Sequence, residues 1–473
     1  MKPHLLLLPA AAAVFIALGF SSGSKETVST YKNTLKTPEE NYANYCSGCH
    51  GEKMDAFTDR QWKHGSEVKD LMVSIKRGWK DEGMPAFNKT FTDKEIEELA
   101  KYIKKGIQNV ATFNFDSEPV TGIFKSESIT VKLDTIATGI DVAWGMAFLP
   151  DGSLLATERG GKMYKILNKK KQEITGVPEV LAEGQGGLFD IVLSPDFKTD
   201  NLIYFSYSKP KKENGKTLAT TAVMCAKLDG NKLIDQKIIF EALPYAPTRH
   251  HYGSRLVFDD KGYLFISVGE RGNEQQNPQS LDNNQLGKIH RIHADGTIPA
   301  DNPFKDKEGK PTSIYCYGNR NPQSLAINPW SNVLWETEHG PRGGDEINII
   351  QPGNNYGWPV TSYGINYNGT TITDKAAAPG ITDPILYWIP SIAPSGMAFI
   401  TGDVYKPWKG ALVVGSLRFK YLNLCYLNGD KIVKEEKLLK NIGRLRDVRQ
   451  GPDGFIYVAV EKPASAIYRL IPM

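Results

Sequence analysis

Cys46-Ser47-Gly48-Cys49-His50 is a C-x-x-C-H string. Two thiols at that spacing can add to the vinyl groups of a haem, and the adjacent His50 then serves as an axial ligand to the iron. Zinc sites and redox dithiols use the same residue types, but in an exported chain with helices on both sides the haem reading is preferred. The second axial ligand should be a thioether or an imidazole placed further on. Met84 is best placed, 34 residues past His50 in Gly83-Met84-Pro85-Ala86-Phe87, a Pro-containing loop that can turn a side chain inward. Met54 is only four residues from His50, Met72 sits on an apolar helical face where packing is the plainer role, and His64 lies in a polar stretch.

A second group of chemical residues is scattered over the rest of the chain. It lies in Glu183-Gly-Gln-Gly-Gly-Leu-Phe-Asp, Arg249-His-His-Tyr-Gly-Ser-Arg-Leu, Gly318-Asn-Arg-Asn-Pro-Gln-Ser, Glu338-His-Gly-Pro-Arg-Gly-Gly-Asp-Glu-Ile-Asn and Gly443-Arg-Leu-Arg-Asp-Val. A loop histidine with a carboxylate downstream suggests general-base chemistry. Several guanidinium groups in loops suggest an anionic ligand, because their planar forks match carboxylates. Any one of these residues alone could be an inter-blade salt bridge or part of a solvated loop; the joint occurrence is the stronger sign.

Two kinds of element must position these groups. Residues 36–110 read as a small all-α domain. Glu67 to Trp79 places Val68, Leu71, Met72 and Ile75 on one face, and Thr92-Asp93-Lys94-Glu95 forms a capping-box pattern before Ile96, Leu99, Ile103 and Ile107 at helical spacing. Residues 111–128 are polar and aperiodic and read as a linker. From 129 to 473 a unit of apolar strand, Pro-Asp-Gly-like turn and further apolar strands recurs six times, beginning at Trp144, Gly187, Ser254, Gln323, Gly396 and Arg446. Units too small to bury their own faces stack radially, which implies an all-β six-bladed β-propeller. Propellers build sites from loops of several blades, so functional residues should be scattered in sequence, as they are here.

The helical segment resembles a class I cytochrome c over about residues 36–110. The propeller strings resemble the soluble-type pyrroloquinoline quinone (PQQ) sugar dehydrogenases over about 129–472. That second resemblance implies that His251 takes the proton of a sugar C1 hydroxyl and that Glu270 orients it. It implies quinone contacts from Gln185, Arg320, Asn321, Ser391, Arg418, Arg444 and Arg446. It also implies one calcium ion on the carbonyls of Gly340 and Pro341, and a second, structural one at Glu346 and the Tyr356 carbonyl. His339 stands where the glucose dehydrogenase branch has Gln, and Arg418 where it has Lys; Glu338-His-Gly-Pro looks more like the aldose branch. Of the neighbouring histidines, His250 is expected to point away from His251 if the stretch is extended.

The expectation is therefore a quinohaemoprotein: an aldose oxidised to a lactone at calcium-activated PQQ, with electrons passing to haem c on Cys46 and Cys49, ligated by His50 and Met84, and on to an external acceptor such as a cytochrome. The alternatives are a calcium-dependent propeller lactonase and a binding propeller that merely carries a cytochrome. Leu5 to Phe20 is apolar for 16 residues after a single early lysine, short of a spanning helix. It reads as a signal peptide over 1–24 that directs the chain to the periplasm or outside, leaving no stable membrane span in the mature chain; an uncleaved anchor is the competing reading. Net charge is +4 with no long basic block, so nucleic acid is not an expected partner. Five cysteines are too few for a disulfide scaffold, and Cys225, Cys316 and Cys425 read as buried small hydrophobes.

Overall fold

The computed structural model describes residues 37–50, 64–80, 84–108, 122–367, 370–461 and 465–473. The expected leader over 1–24 and Met54 lie outside these residues, as does the side chain of Cys49. Residues Pro38–Met473 form one compact unit, distinct from Met1–Thr37.

Pro38–His50 is helical throughout, with a π turn over Tyr42–Cys46. The helices Val68–Arg77 and Asp93–Gln108 follow. The expected capping box forms: Glu95 Oε2 accepts from the Thr92 N–H at 2.8 Å, and the Glu95 N–H donates to Thr92 Oγ1 at 3.3 Å. These bonds satisfy donors that the first helical turn leaves unpaired. The apolar faces meet in one core of Tyr42, Cys46, Leu71, Ile75, Phe87, Phe91, Ile96, Leu99, Ala100 and Ile103, with Val68, Met72 and Met84 packed against it. Gly78 makes the return of the chain possible. Its φ is +65°, and a Cβ there would lie 2.5 Å from the Met84 carbonyl oxygen. Only glycine permits both that backbone and that approach, and the two-way backbone pairing of Trp79 with Met84 depends on it.

The remainder is the six-bladed β-propeller. The innermost strands are Ala143–Phe148, Leu188–Leu193, Gly253–Phe258, Pro322–Ile327, Pro394–Phe399 and Arg444–Gln450. Each packs on the next, and the sixth packs on the first. Five blades have four strands. The sixth has five: Thr130–Thr138 from the start of the domain is its fourth strand, paired with Ala466–Pro472 from its end in register from Val131↔Pro472 to Thr138↔Ala466, and Ile123–Lys125 is its fifth. That pairing closes the ring and hides two edges that would otherwise be open. Ile123–Lys125 adds to the same blade by pairing with Thr130–Lys132. The sheet thus starts inside the stretch 111–128 expected to be linker, of which only 122 onward is described.

Each pair of adjacent blades shares its own apolar layer, six in all. The fourth, outermost strands were not legible in the sequence. Lys170–Ile174 buries only Ile174, and Lys431–Leu438 only Leu438, so the apolar alternation that marks a half-buried strand is missing. Cys316 and Cys425 are buried in these layers, Cys225 is half-buried, and all three are free thiols.

At the centre of the ring lies a buried charge network. Arg255 Nη1 pairs with Asp447 Oδ1 at 2.8 Å, and Arg449 bridges Asp190 at 2.6 Å and Asp447 at 3.1 Å. Asp190 Oδ2 accepts the Leu256 N–H, and Asp447 Oδ2, shared with Arg449, also accepts the Met146 N–H. Blades two, three and six are tied together by charges that are fully partnered, the condition for burying them without a large penalty.

Candidate active site

Antiparallel pairing puts the start of each innermost strand beside the end of the second strand, as in Pro322↔Glu338, Pro394↔Ser416 and Arg444↔Glu461. Gln185, His251, Arg320, Asn321, Ser391 and Arg444 all sit at or just before innermost strands. Glu270, Glu338, Arg418 and Glu461 sit at or just after second strands. The register alone therefore brings residues from blades two to six to one end of the ring.

His251 is the centre of this cluster. Its Nδ1 is hydrogen-bonded to Glu270 Oε1, and its backbone N–H donates to Gln185 Oε1 at 2.9 Å. Burial, Arg320 and Arg271 hold the imidazole well below its ordinary pKa, so it is neutral. With Glu270 accepting at Nδ1–H, the lone pair is at Nε2. Glu270 is 1% exposed, burial raises its carboxyl, and Oε2 has no partner among the described residues. The backbone at His251 is left-handed, φ +54°, so the stretch is not extended. His250 accordingly does not point away: its ring stands edge-on to that of His251 at 4.6 Å. Arg271 fixes this loop, donating to the carbonyls of His250, Ala219 and Thr248.

Arg320 carries the next layer. Its Nη1 donates to the carbonyls of His339 at 3.0 Å and Gly340 at 2.8 Å, its own carbonyl accepts from the Glu270 N–H at 2.9 Å, and its Nε is unpartnered. Arg418 Nε is unpartnered as well. Arg446 and Arg444 share one carboxylate, Glu461, at 2.7 and 3.7 Å. Together with Arg159, these guanidiniums push Glu461 down to about 2. Three cations around one anion leave an excess of positive charge. Burial, together with the charges of Arg446, Arg320 and His251, lowers the His339 imidazole to about 3, so these groups lie near one another. Two expected ligand contacts are already engaged within the protein. Asn321 Oδ1 accepts from the Gly253 N–H, and Ser391 Oγ donates to the Pro341 carbonyl while accepting from the Gly343 N–H.

Gly340, Pro341, Glu346 and Tyr356, expected at two separate ions, line a single cavity of about 10 Å³ together with Arg320, Glu338 and Trp358. That is room for one water or one ion. The tight backbone here needs Gly340, since a Cβ would meet the Gly344 oxygen at 2.1 Å. Glu336, Glu338 and Glu346 lie on paired strands behind it. Burial raises all three, Glu338 to about 7, and repulsion from Glu338 adds to the rise of Glu336 and Glu346; Glu336 Oε1 has no partner among the described residues. Three buried carboxylates with only Arg320 as a nearby cation fit a bound metal. Among the described residues no three His, Cys, Asp or Glu side chains form a ready cage, so an ion here would draw on carbonyl oxygens.

Sequence reasoning missed Glu338, Glu461, Arg271 and Trp358. Glu338 and Glu461 had a signal: they end the second strands of blades four and six, the place Glu270 follows in blade three. Aligning the repeats by strand end would have found them. Arg271 and Trp358 carried no such sign.

In the helical region His50 is half-buried and desolvation lowers its imidazole to about 4, Cys46 is 8% exposed, and Met84 borders the same core.

Residues 140–469 match the family model Glucose / Sorbosone dehydrogenase. The chain belongs to that family of oxidoreductases. Residues 33–103 match the model for the cytochrome c oxidase, cbb3-type, subunit III, so the N-terminal region is a cytochrome c-type domain. The chain is 44% identical over 351 residues to the aldose sugar dehydrogenase YliI of Escherichia coli, covering 72% of this chain and 93% of that one. It is 31% identical to quinoprotein glucose dehydrogenase B of Acinetobacter calcoaceticus over 55% of this chain and 60% of the other. Among solved structures, the apo soluble aldose sugar dehydrogenase of Escherichia coli superposes with a TM-score of 0.68 at 42% identity, covering 72% and 100% of the two chains. The PQQ-bound aldose sugar dehydrogenase of Streptomyces coelicolor gives 0.59 at 28% identity, covering 72% and 98%.

Proposed function

We propose that this chain oxidises the C1 hydroxyl of an aldose to a lactone in the His251 cleft and delivers the electrons to its own haem c. The observation that carries this reading is the His251–Glu270 pair: a neutral imidazole whose Nδ1 side is held by a buried carboxylate, with Nε2 left as the base. His251 takes the substrate hydroxyl proton at Nε2, and Glu270 steadies the imidazolium that results. Arg320 and Arg418, with their unpartnered Nε groups, and the excess charge of Arg444 and Arg446 suit the carboxylates of PQQ; Gln185, Asn321 and Ser391 shape the loops around it. The cavity at Gly340, Pro341, Glu346 and Tyr356 suits calcium. When bound, the quinone supplies a two-electron acceptor and the calcium polarises it. In the helical domain Cys46 and Cys49 would hold the haem, with His50 and Met84 as axial ligands. An external one-electron carrier completes the path, and the leader over 1–24 would place the enzyme in the periplasm or outside the cell.

The test is the visible spectrum of the purified full chain, reconstituted with calcium and PQQ, before and after an aldose is added. Haem reduction that requires both additions is expected, and chelation should abolish it. Lactone hydrolysis without quinone would instead favour the hydrolase. Met84→Ala should keep covalent haem but lose the low-spin signature and lower the potential; an unchanged spectrum would transfer the ligand role to Met72 or His64.

A further inference from the structure

Tyr45 immediately precedes Cys46, and Arg342 immediately follows Pro341. The guanidinium carbon of Arg342 lies 4.7 Å from the centroid of the Tyr45 ring, within cation–π range. Both partners are fixed from behind. Phe91 meets the Tyr45 ring edge-on at 5.0 Å and Phe87 at 6.4 Å. Arg342 exchanges backbone hydrogen bonds with Ile365 at 2.9 and 3.1 Å. Opposite charges on the two domains also come near each other beyond Glu270. Glu274 is half-buried four residues beyond Glu270; burial and Glu270 raise its carboxyl, and Arg320 and Lys80 oppose that rise. Lys80 is exposed and belongs to the cytochrome c-type domain. The loops bearing Glu274 and Arg342 flank Arg320, which binds the Gly340 carbonyl with its side chain and the Glu270 N–H with its own carbonyl.

We propose that the cytochrome c-type domain seats across the mouth of the His251 cleft through Tyr45 on Arg342 and Lys80 facing Glu274, and that electrons leave the cleft through this interface. The proposal rests on the functional reading above. Each aldose oxidised to a lactone releases two electrons and two protons. The electrons cross one at a time, each reducing Fe(III) to Fe(II) and each removed by an external one-electron acceptor before the next; the protons leave to solvent. Interfaces between domains of one chain resemble transient complexes, so single contacts should matter to the docked population, and salt should weaken the charged one.

Two measurements on the full haem-containing chain test it. Before PQQ is added, a carbodiimide should join the Lys80 amine to the Glu274 carboxyl as an amide with loss of water, detected by peptide mass spectrometry and absent in Glu274→Gln. After loading with calcium and PQQ, Arg342→Ala should slow aldose-driven haem reduction about tenfold, the scale of losing a half-buried cation–π contact from a docking equilibrium. Sugar oxidation coupled directly to a small redox dye should be unchanged. Glu274→Lys should slow haem reduction, and adding Lys80→Glu should restore it. Absence of the cross-link, or unchanged haem reduction in both Arg342→Ala and Glu274→Lys, would overturn the seating. So would a parallel fall in dye-coupled oxidation in Arg342→Ala, which would place that residue's effect inside the cleft. If the unaltered protein oxidises no aldose with the dye, the functional reading fails while the cross-link still reports on the seating.

Discussion

Two buried clusters of charge occupy the propeller, and they are built on opposite principles. At the axis, Asp190, Arg255, Asp447 and Arg449 balance two anions against two cations, and both carboxylates also accept backbone N–H groups. At the loop end, the buried Glu270, Glu336 and Arg320 and the half-buried Arg418 keep atoms with no partner among the described residues. An unpartnered buried polar atom costs about 1–3 kcal/mol, more if charged. A fold that satisfies one cluster completely has the means to satisfy the other, so the loose ends mark where a ligand's own charge is expected.

The widest separation between the clusters should come from His251→Asn. It should lower aldose turnover by about 10² to 10⁴, the usual range for losing a general base, with thermal stability and haem content unchanged. His250→Asn should cost much less in rate. A crippling His250→Asn with a mild His251→Asn would show that the base had been misassigned.

Arg255→Met should do the reverse. It leaves Asp447 without its 2.8 Å partner and should destabilise the fold by about 3–5 kcal/mol, the cost of breaking one side of a buried ion pair. Chemical denaturation would measure this. A stability loss below about 1 kcal/mol would mean that Arg449 alone balances the axis.

Arg418→Ala tests the loop end more finely. Its Nε has no protein partner, so its removal should weaken PQQ binding by about 1.5–3 kcal/mol, the range for a hydrogen bond to a charged group, and leave stability nearly unchanged. Arg446→Ala should weaken binding too, but it also strips Glu461 of its nearest cation and should therefore lower stability. Equal stability in both variants would contradict the distinction drawn between partnered and unpartnered arginines.

The smallest effect concerns acid. His290 lies in neither cluster; it is buried between Ser313 and Gln285 and lowered to about 3 by that burial. Between that value and 6.5 the unfolded chain binds a proton that the folded chain refuses. Its contribution to stability is therefore full above pH 6.5 and is lost as the pH falls, at a slope approaching about 1.4 kcal/mol per pH unit. His290→Gln should remove that part of the slope in melting curves taken from pH 7 down to 5.

The separate parts were legible in the chain to different depths. Cys46 to His50 could be read as a haem candidate, because the spacing that covalent attachment needs is local. The capping box at Thr92 and Glu95 and the apolar faces of the two longer helices were legible for the same reason. Six repeats were enough for the propeller, but not outermost strands such as Lys170–Ile174 and Lys431–Leu438, whose side chains face water at most positions. Nor did the sequence show the strand at Ile123, which has no apolar alternation and exists because Thr130–Thr138 offers it an edge.

By itself, then, the sequence determined the elements, their number and the identities of His251, Glu270 and the loop arginines as chemical candidates, because those follow from local spacing and residue type. Tertiary structure decided how each was used. Ring closure by strands from the two ends of the propeller set the register that gathers five blades' loops at one end. The left-handed backbone at His251 turned His250 against its neighbour. Glu461 divided the arginines into those already partnered and those left open. The same convergence drew Gly340, Pro341, Glu346 and Tyr356 around one cavity. Each of these depends on distances between residues far apart in the chain, which no local pattern encodes.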